Sequence, residues 1–253
     1  MGVAKIYRSR IKKDSLLQVP SGERSFFLAL AHLANEMNAI HKFLLWVSRT
    51  AVASQAKQQG RTTYEMLLLL LLAGKLKEGW ELLSTGFFSG LSKTYEPKMR
   101  SEPKQALRHL KRYFGSRNDV DLIRNRFAFH YSPDEVDAIL PEVDEQLDLY
   151  VERGGSANNL YYFAEALAGR ALLKALDETD HLGAYKRLYT ELPQLAAKLL
   201  LVADGLIDVF LQRHASGLWE GHAEEITLEE LPGILCIQIP WFTDPSRAYD
   251  GSA

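Results

Sequence analysis

A chain of 253 residues, 47% hydrophobic and 25% charged, can build one large or two small domains with an ordinary core, which excludes a largely disordered protein. Its formal net charge of -2 excludes a surface coated in positive charge, so any contact with nucleic acid has to come from a local patch. The lone cysteine, Cys236, excludes an intramolecular disulfide framework and a multi-cysteine metal site; it suits a reducing cytosol and reads as a small core hydrophobe.

Residues 1–20 carry Lys5, Arg8, Arg10, Lys12 and Lys13, lack the apolar run of a secretory signal, and close at Pro20, which predicts a basic arm, extended or loosely docked. Over 21–59 there is no proline, and Phe27, Leu30, Ala34, Met37, His41, Leu44, Ser48 and Ala51 form a helical stripe, so one long helix is expected, ended by Gly60. A capping box at Thr62 to Glu65 then opens an apolar helix whose all-round hydrophobicity predicts burial. Its apolar run, 66–73, is eight residues, against the ~20 needed to cross a bilayer, so the expected protein is cytoplasmic and makes no membrane contact. Helical spacing continues over 75–91 through Leu76, Trp80, Leu83 and Phe87, with Gly79, Gly86 and Gly90 weakening it.

Pro97 and Pro103 bracket an expected loop, after which 105–114 forms a basic amphipathic helix, broken at Gly115 and Ser116 before Asn118 or Asp119 caps the next one. Beyond residue 130, Ser132-Pro133-Asp134-Glu135 has the form of a capping box with proline at the first helical position, and Tyr131 and Val136 stand at the spacing of a hydrophobic staple. The stripe Val136, Ile139, Leu140, Val143, Leu147, Tyr150 passes through Pro141, which predicts a kinked helix. Gly154-Gly155-Ser156 makes a turn; a helix over 157–176, an aromatic segment over 181–192 and an apolar helix over 193–214 starting at its proline follow. Past residue 217 the stretch GILCIQIPWF reads as a short strand or an extended strap.

The chemistry concentrates in IRNRFAFHYSPDEV, residues 123–136. It sits at a sign change in charge: residues 95–130 hold nine Lys/Arg against four acids, whereas 131–150 hold seven acids and no Lys or Arg. A guanidinium binds phosphate bidentately and an imidazole exchanges protons near neutral pH, so Arg124 and His130 make a candidate phosphate-cleaving pair. The spacing alone is expected roughly once by chance in this composition, and requiring an Asn directly after the Arg lowers that to roughly 0.03. On a continuous helix Arg124 and His130 would lie about 120° apart, so they converge only if the helix breaks before Ser132 or if a second chain supplies the partner group. Neither His32 nor His41 has ligand-like company, and no metal site is expected.

RNRFAFH, Arg124-Asn125 through His130, resembles the R-polar-x4-H signature of the HEPN superfamily, and most closely its abortive-infection type. The resemblance covers seven residues within a chain that otherwise reads as helical. It implies an all-α helical bundle with additional helices, a homodimer formed along the motif-bearing helices, and a ribonuclease site needing neither metal nor cofactor. It further implies His130 as the proton-transfer residue, Arg124 as the stabiliser of the scissile phosphate and Asn125 as the residue that orients them. RNA would be the substrate, and an antitoxin or defence protein a possible partner, since many such proteins are toxins or phage-defence effectors. Arg126 and Tyr131, outside the signature, are candidates to grip phosphate and stack a base. The expected organisation is a basic arm (1–20), one α-helical HEPN-like domain (21–216) and an extended strap or tail (217–253). The competing readings are an RNA- or nucleotide-binding module without cleavage, a helical interaction protein, and a purely structural role in which the arginines pair with Asp119, Asp121 or the acids after Ser132. Phe127 and Phe129 read as core.

Overall fold

The computed structural model describes residues 2–130, 133–143, 149–155, 158–214, 218–233 and 236–244, and it is mostly α-helical, with one small two-stranded sheet among those residues. At the centre runs α3 (Gln55–Leu82), on which Leu69, Leu72, Ala73 and Leu76 are wholly buried. Against it lie α2 (Ser21–Ser48) and α9 (His181–Arg213), with α5 (Ser101–Phe114) on the far side of α9. The remaining helices are the short α1 (Lys13–Gln18) and α4 (Ser92–Tyr95), α6 (Asp119–Ile123), α7 (Pro133–Ile139) and α8 (Tyr162–Leu176).

On α2, Phe26, Leu30, Leu33, Met37, Leu44 and Val47 keep the spacing that turns one stripe to the core. The helix stops at Ser48, eleven residues before the expected end, and Thr50 folds its hydroxyl back on the Trp46 carbonyl at 3.1 Å. Ser54 then caps α3, accepting from the Lys57 N–H at 3.4 Å. Gly60 is inside α3 rather than at a helix end. A side chain there would come within 2.5 Å of the Trp241 Cβ, so this glycine marks a close approach. Gly79 is the same: a Cβ would meet Leu199 at 2.6 Å and Leu33 at 2.8 Å. The helical run past α3 widens into a π-helical stretch, Leu83–Leu91, before α4.

Three further expectations fail. The aromatic segment and the apolar helix are one helix, α9, with Pro193 inside it. A proline in a helix interior costs about 3 kcal/mol, but Leu188, Leu192, Leu195, Ala196 and Leu199 are buried on either side of it, each large side chain contributing roughly 1.5–3 kcal/mol, so burial wins. In the other direction, the helix expected to kink at Pro141 ends: α7 stops at Ile139, a 3-10 turn (Leu140–Glu142) holds the proline, and Val143 is extended. The loop expected between Pro97 and Pro103 shrinks to Met99 and Arg100, because α5 starts at Ser101 and buries Pro103.

A polar knot ties the ends of the bundle together. Glu23, near the start of α2 and buried, accepts a short hydrogen bond from the Tyr95 hydroxyl, faces His214 Nε2 at 2.8 Å and lies 3.7 Å from Arg213. Burial by itself raises the Glu23 carboxyl, but the bonds from Tyr95 and His214 and the nearby positive charge outweigh it and hold the carboxyl below its ordinary range. Burial and the same bond push the Tyr95 phenol upward.

The N-terminal arm is not loose. Residues Gly2–Ile11 form β1, which pairs antiparallel with β2 (Trp219–Leu231) and so ties the N-terminal segment to the strand that follows α9. The stretch GILCIQIPWF, expected as a short strand or an extended strap, has no strand among its described residues, and from Ile239 on it runs with Thr243 as a strap; the strand of this region lies upstream, in β2. Thr50 holds the strap by accepting from the Ile239 N–H at 3.0 Å, and Asn158 by accepting from the Thr243 N–H at 2.8 Å. Trp241 packs on Tyr64 at the Gly60 crossing. Cys236 is exposed in this segment, not in the core.

Candidate functional site

The Arg–His motif occupies a surface turn built on a buried foot. Asn118 caps α6 by accepting from the Asp121 N–H at 2.9 Å, while its own amide donates to the Ser116 carbonyl. Val120 and Ile123 bury the inner side of α6 completely. Beyond Ile123 the helix opens into a π-helical turn, Arg124–Ala128, and leaves helical geometry at Phe129. The break required before Ser132 is therefore present, and it comes within the motif itself. π-Helical turns recur at functional sites because the widened backbone re-aims side chains.

Arg124 is half-buried and reaches across to α3, its Nη2 3.2 Å from Glu78 Oε1; its contact with the Asn125 Oδ1, at 3.5 Å, is at the limit of a hydrogen bond. Its Nε is buried without a hydrogen-bond partner. Next to this pair Lys77 lies 2.8 Å from Asp121 and 3.6 Å from Glu81, so α3 and α6 face each other through alternating charge. Arg126 turns the other way. Its Nε and Nη2 both donate to Glu135 Oε1 on α7, at 3.0 and 2.7 Å, and its guanidinium lies 5.5 Å from the Phe127 ring centre. The two arginines therefore diverge, toward α3 and toward α7, and do not form one clamp within a single chain. Asn125 is exposed beside Arg124, and His130 is exposed at the end of the turn, with no hydrogen bond or ion pair to another described residue. Tyr131 and the expected N-cap Ser132 lie outside the described residues; α7 begins at Pro133 as the capping pattern predicts.

Phe127 packs half-buried against the core. Phe129, read as core, is 51% exposed, but one edge of its ring covers Gly74 of α3 so closely that no Cβ fits there. This contact pins the turn to α3. The partners Glu78 and Lys77 were missed by the sequence reading; they lie 46 and 44 residues from Arg124 and Asp121, and no local pattern announces a contact of that range. Glu135, an acid after Ser132 in the first turn of α7, is a partner the purely structural reading anticipated for the arginines, and it holds Arg126.

Before the turn lies a basic surface. On α5, Arg108 and Arg112 are exposed, as is Arg117 beyond the helix, and none of the three is within ion-pair distance of a described carboxylate, although the charge of Arg117 is felt at Asp119. Partial burial and the neighbouring charges of Lys198 and Arg112 push the His109 imidazole below its ordinary value. Among the described residues no group of three or more His, Cys, Asp or Glu is placed to hold a metal, and no helix is long and apolar enough to cross a membrane.

The class of protein these features define is a mostly α-helical bundle with an exposed Arg-Asn-x4-His turn beside a basic helix. No family model, curated protein or solved structure matches the chain.

Proposed function

We propose that the protein is a HEPN-type endoribonuclease that cleaves RNA without a metal, acting as a toxin or phage-defence effector, as a homodimer through its motif-bearing helices. The observation that carries this reading is the combination of a π-helical turn that begins at Arg124 with an exposed His130 that no other described residue engages. The chemistry is a transesterification. One His130 takes the proton from a ribose 2′-hydroxyl, the oxygen attacks phosphorus, and the P–O5′ bond breaks. The His130 of the second copy gives its proton to the departing 5′-oxygen, leaving a 2′,3′-cyclic phosphate. Arg124 offsets the charge that grows on the phosphoryl oxygens, with Asn125 beside it orienting the pair. Arg126 binds a flanking phosphate, Tyr131 stacks a base, and the Arg108/Arg112 face draws in the backbone. DNA lacks the attacking hydroxyl and stays intact.

A second reading rests on a specific observation: Arg108, Arg112 and Arg117 form an exposed basic face while both motif arginines are held by carboxylates, Glu78 and Glu135, which suits a module that binds RNA or a nucleotide through that face without cleaving it. Incubating RNA with the purified protein and with His130→Ala in EDTA separates the two. Cleavage by the wild type alone supports the nuclease; equal cleavage by both, or none by the wild type, sinks it. Salt-sensitive binding that survives His130→Ala and weakens in Arg124→Ala then supports the binding module.

A further inference from the structure

The β1–β2 ribbon takes no part in the reading above. Along β1 only Ala4 is half-buried; the other nine residues are exposed, Val3 at 68% and Tyr7 at 70%. At its base the Lys12 N–H donates to the Leu218 carbonyl at 2.9 Å; beyond that point the strands hold mainly each other. A two-stranded ribbon alone is marginal in water, and each outer edge presents a row of unpaired backbone groups. Apolar side chains line both of its faces: Ala4, Ile6, Ile226 and Leu228 on one, Val3 and Tyr7 on the other. Packing one face against a flat surface would leave the other uncovered, whereas adding strands at an edge extends both.

We propose that the ribbon is a self-association element in which β1 pairs with β1 of a second copy of this chain, antiparallel about a two-fold axis at Ile6. The resulting sheet has four strands in the order β2, β1, β1, β2. The register singles out that centre, because pairing is regular from Ala4↔Leu228 to Arg8↔Glu224 and shifts on both sides, between Gly2 and Ala4 and between Arg8 and Arg10. An axis at Ile6 sets Lys5 opposite Tyr7 of the second copy, Arg8 opposite Ala4 and Arg10 opposite Gly2, so no cation faces another. It also aligns Ile226, Ile6, Ile6 and Ile226 in one row across the sheet, the kind of apolar cross-strand pairing that stabilises sheets.

The alternatives fit less well. Joining β2 to β2 would set two strands with five glutamates each side by side, and Glu230, at φ 57°, breaks the extended backbone of that edge. Head-to-tail addition of β1 to β2 would repeat every two strands, roughly 10 Å, too close for successive helical bundles. The two-fold arrangement instead puts the bundles at opposite ends of a sheet roughly 33 Å long, so it is a second interface, separate from the motif-helix dimer, and copies using both assemble beyond a dimer. A polyanion is disfavoured, because the ribbon carries three cations on β1 against five acids on β2.

Single-cysteine variants of the full chain, made in a Cys236→Ser background, test this pairing under a mild oxidant. Ile6→Cys is expected to give a disulfide-linked dimer on a non-reducing gel, roughly ten-fold faster than the bundle-surface control Lys186→Cys, because the two Cα atoms at the axis lie within the ~7 Å limit. Ile226→Cys, on the same face but three strand spacings or roughly 14 Å from its counterpart, is expected to stay monomeric on the gel. Cross-linking by Ile226→Cys, or a rate for Ile6→Cys no greater than the control, overturns the proposal. Because Ile6 is 42% exposed, the substitution should leave the helical circular dichroism intact, which keeps a negative result meaningful. Adding His130→Ala must leave the cross-link unchanged, so the ribbon and the nuclease reading stand or fall separately.

Discussion

Glutamate, arginine and histidine converge inside the bundle, whereas on its surface a glutamate and an arginine pair without the histidine that follows them. In the interior, Glu23, Arg213 and His214 converge with Tyr95, and the carboxylate has its donors in place. On the surface, Glu78 and Arg124 pair while His130 stands alone at the end of a widened turn. The same groups do different work because burial differs. A buried carboxylate without donors is costly, so the inner set is locked by its bonds and contributes to folding. The outer set is solvated, its ion pair contributes little, and its groups remain available to a ligand.

The largest expected difference between the two sites is in activity. On the nuclease reading proposed above, His130→Ala should lower RNA cleavage by roughly 10²–10⁴-fold, the range for loss of a general acid–base group, with an unchanged melting temperature. His214→Ala should do the reverse, destabilising the fold while cleavage per folded molecule stays near wild type. Cleavage rates measured with thermal melts decide the point, and a fall in cleavage for both variants without loss of folded protein would erase the distinction.

Next in size is the cost of opening the inner knot. Tyr95→Phe removes a donor from a buried carboxylate and should cost about 1.5–3 kcal/mol in chemical denaturation. Its pH dependence has a definite sign. The folded pKa of Glu23 lies below the ordinary 4.5, so the stabilisation is fully present above that value and is lost as pH falls through the folded pKa. Glu65 and Asp119, whose carboxyls burial raises, shift the opposite way. The knot is therefore read as the difference between wild type and Glu23→Gln, which should narrow on acidification from pH 6 to pH 3.

A smaller effect is expected where the strap crosses α3. Gly60→Ala sets a methyl against Trp241 and should displace the strap, exposing the indole and shifting its fluorescence to the red, with the bundle intact. An unchanged emission spectrum would mean that the crossing tolerates a side chain.

The sequence made several helices legible but not every start: the capping box at Thr62 to Glu65 lies inside α3, which Ser54 caps instead. The α2 stripe, the Asn118 cap and the Pro133 start all lie where the pattern puts them. Boundaries failed where the deciding contact was distant in the chain. Gly60 looks like a stop because its neighbour Trp241 is 181 residues away, and Pro193 looks like a start because the burial that carries α9 through it comes from other helices. The ribbon shows the same limit, since the basic arm has no strand signature until the acidic strand 220 residues further on is beside it, with Lys5 2.7 Å from Glu225. At the candidate site, the roles of Arg124, Asn125 and His130 came from a seven-residue resemblance, while Glu78, which holds Arg124, left no trace near the motif.

Glu78 offers the finest separation of the two sites. Both Glu78 and Arg124 keep part of their side chains in water, so Glu78→Gln should change stability by less than about 1 kcal/mol. A buried pair treated the same way would lose several times that. The consequence for RNA runs the other way. A phosphate approaching Arg124 has to displace the Glu78 carboxylate, and removing that charge frees the guanidinium. RNA should then bind a few-fold tighter at low salt, with the gain shrinking as ionic strength screens the charges. Filter binding across a salt series measures this directly. If Glu78→Gln instead weakened RNA binding while stability held, the carboxylate would be aiming Arg124 at the phosphate rather than masking it, and the surface pair would resemble the inner knot in function: a fixed arrangement whose value lies in its geometry.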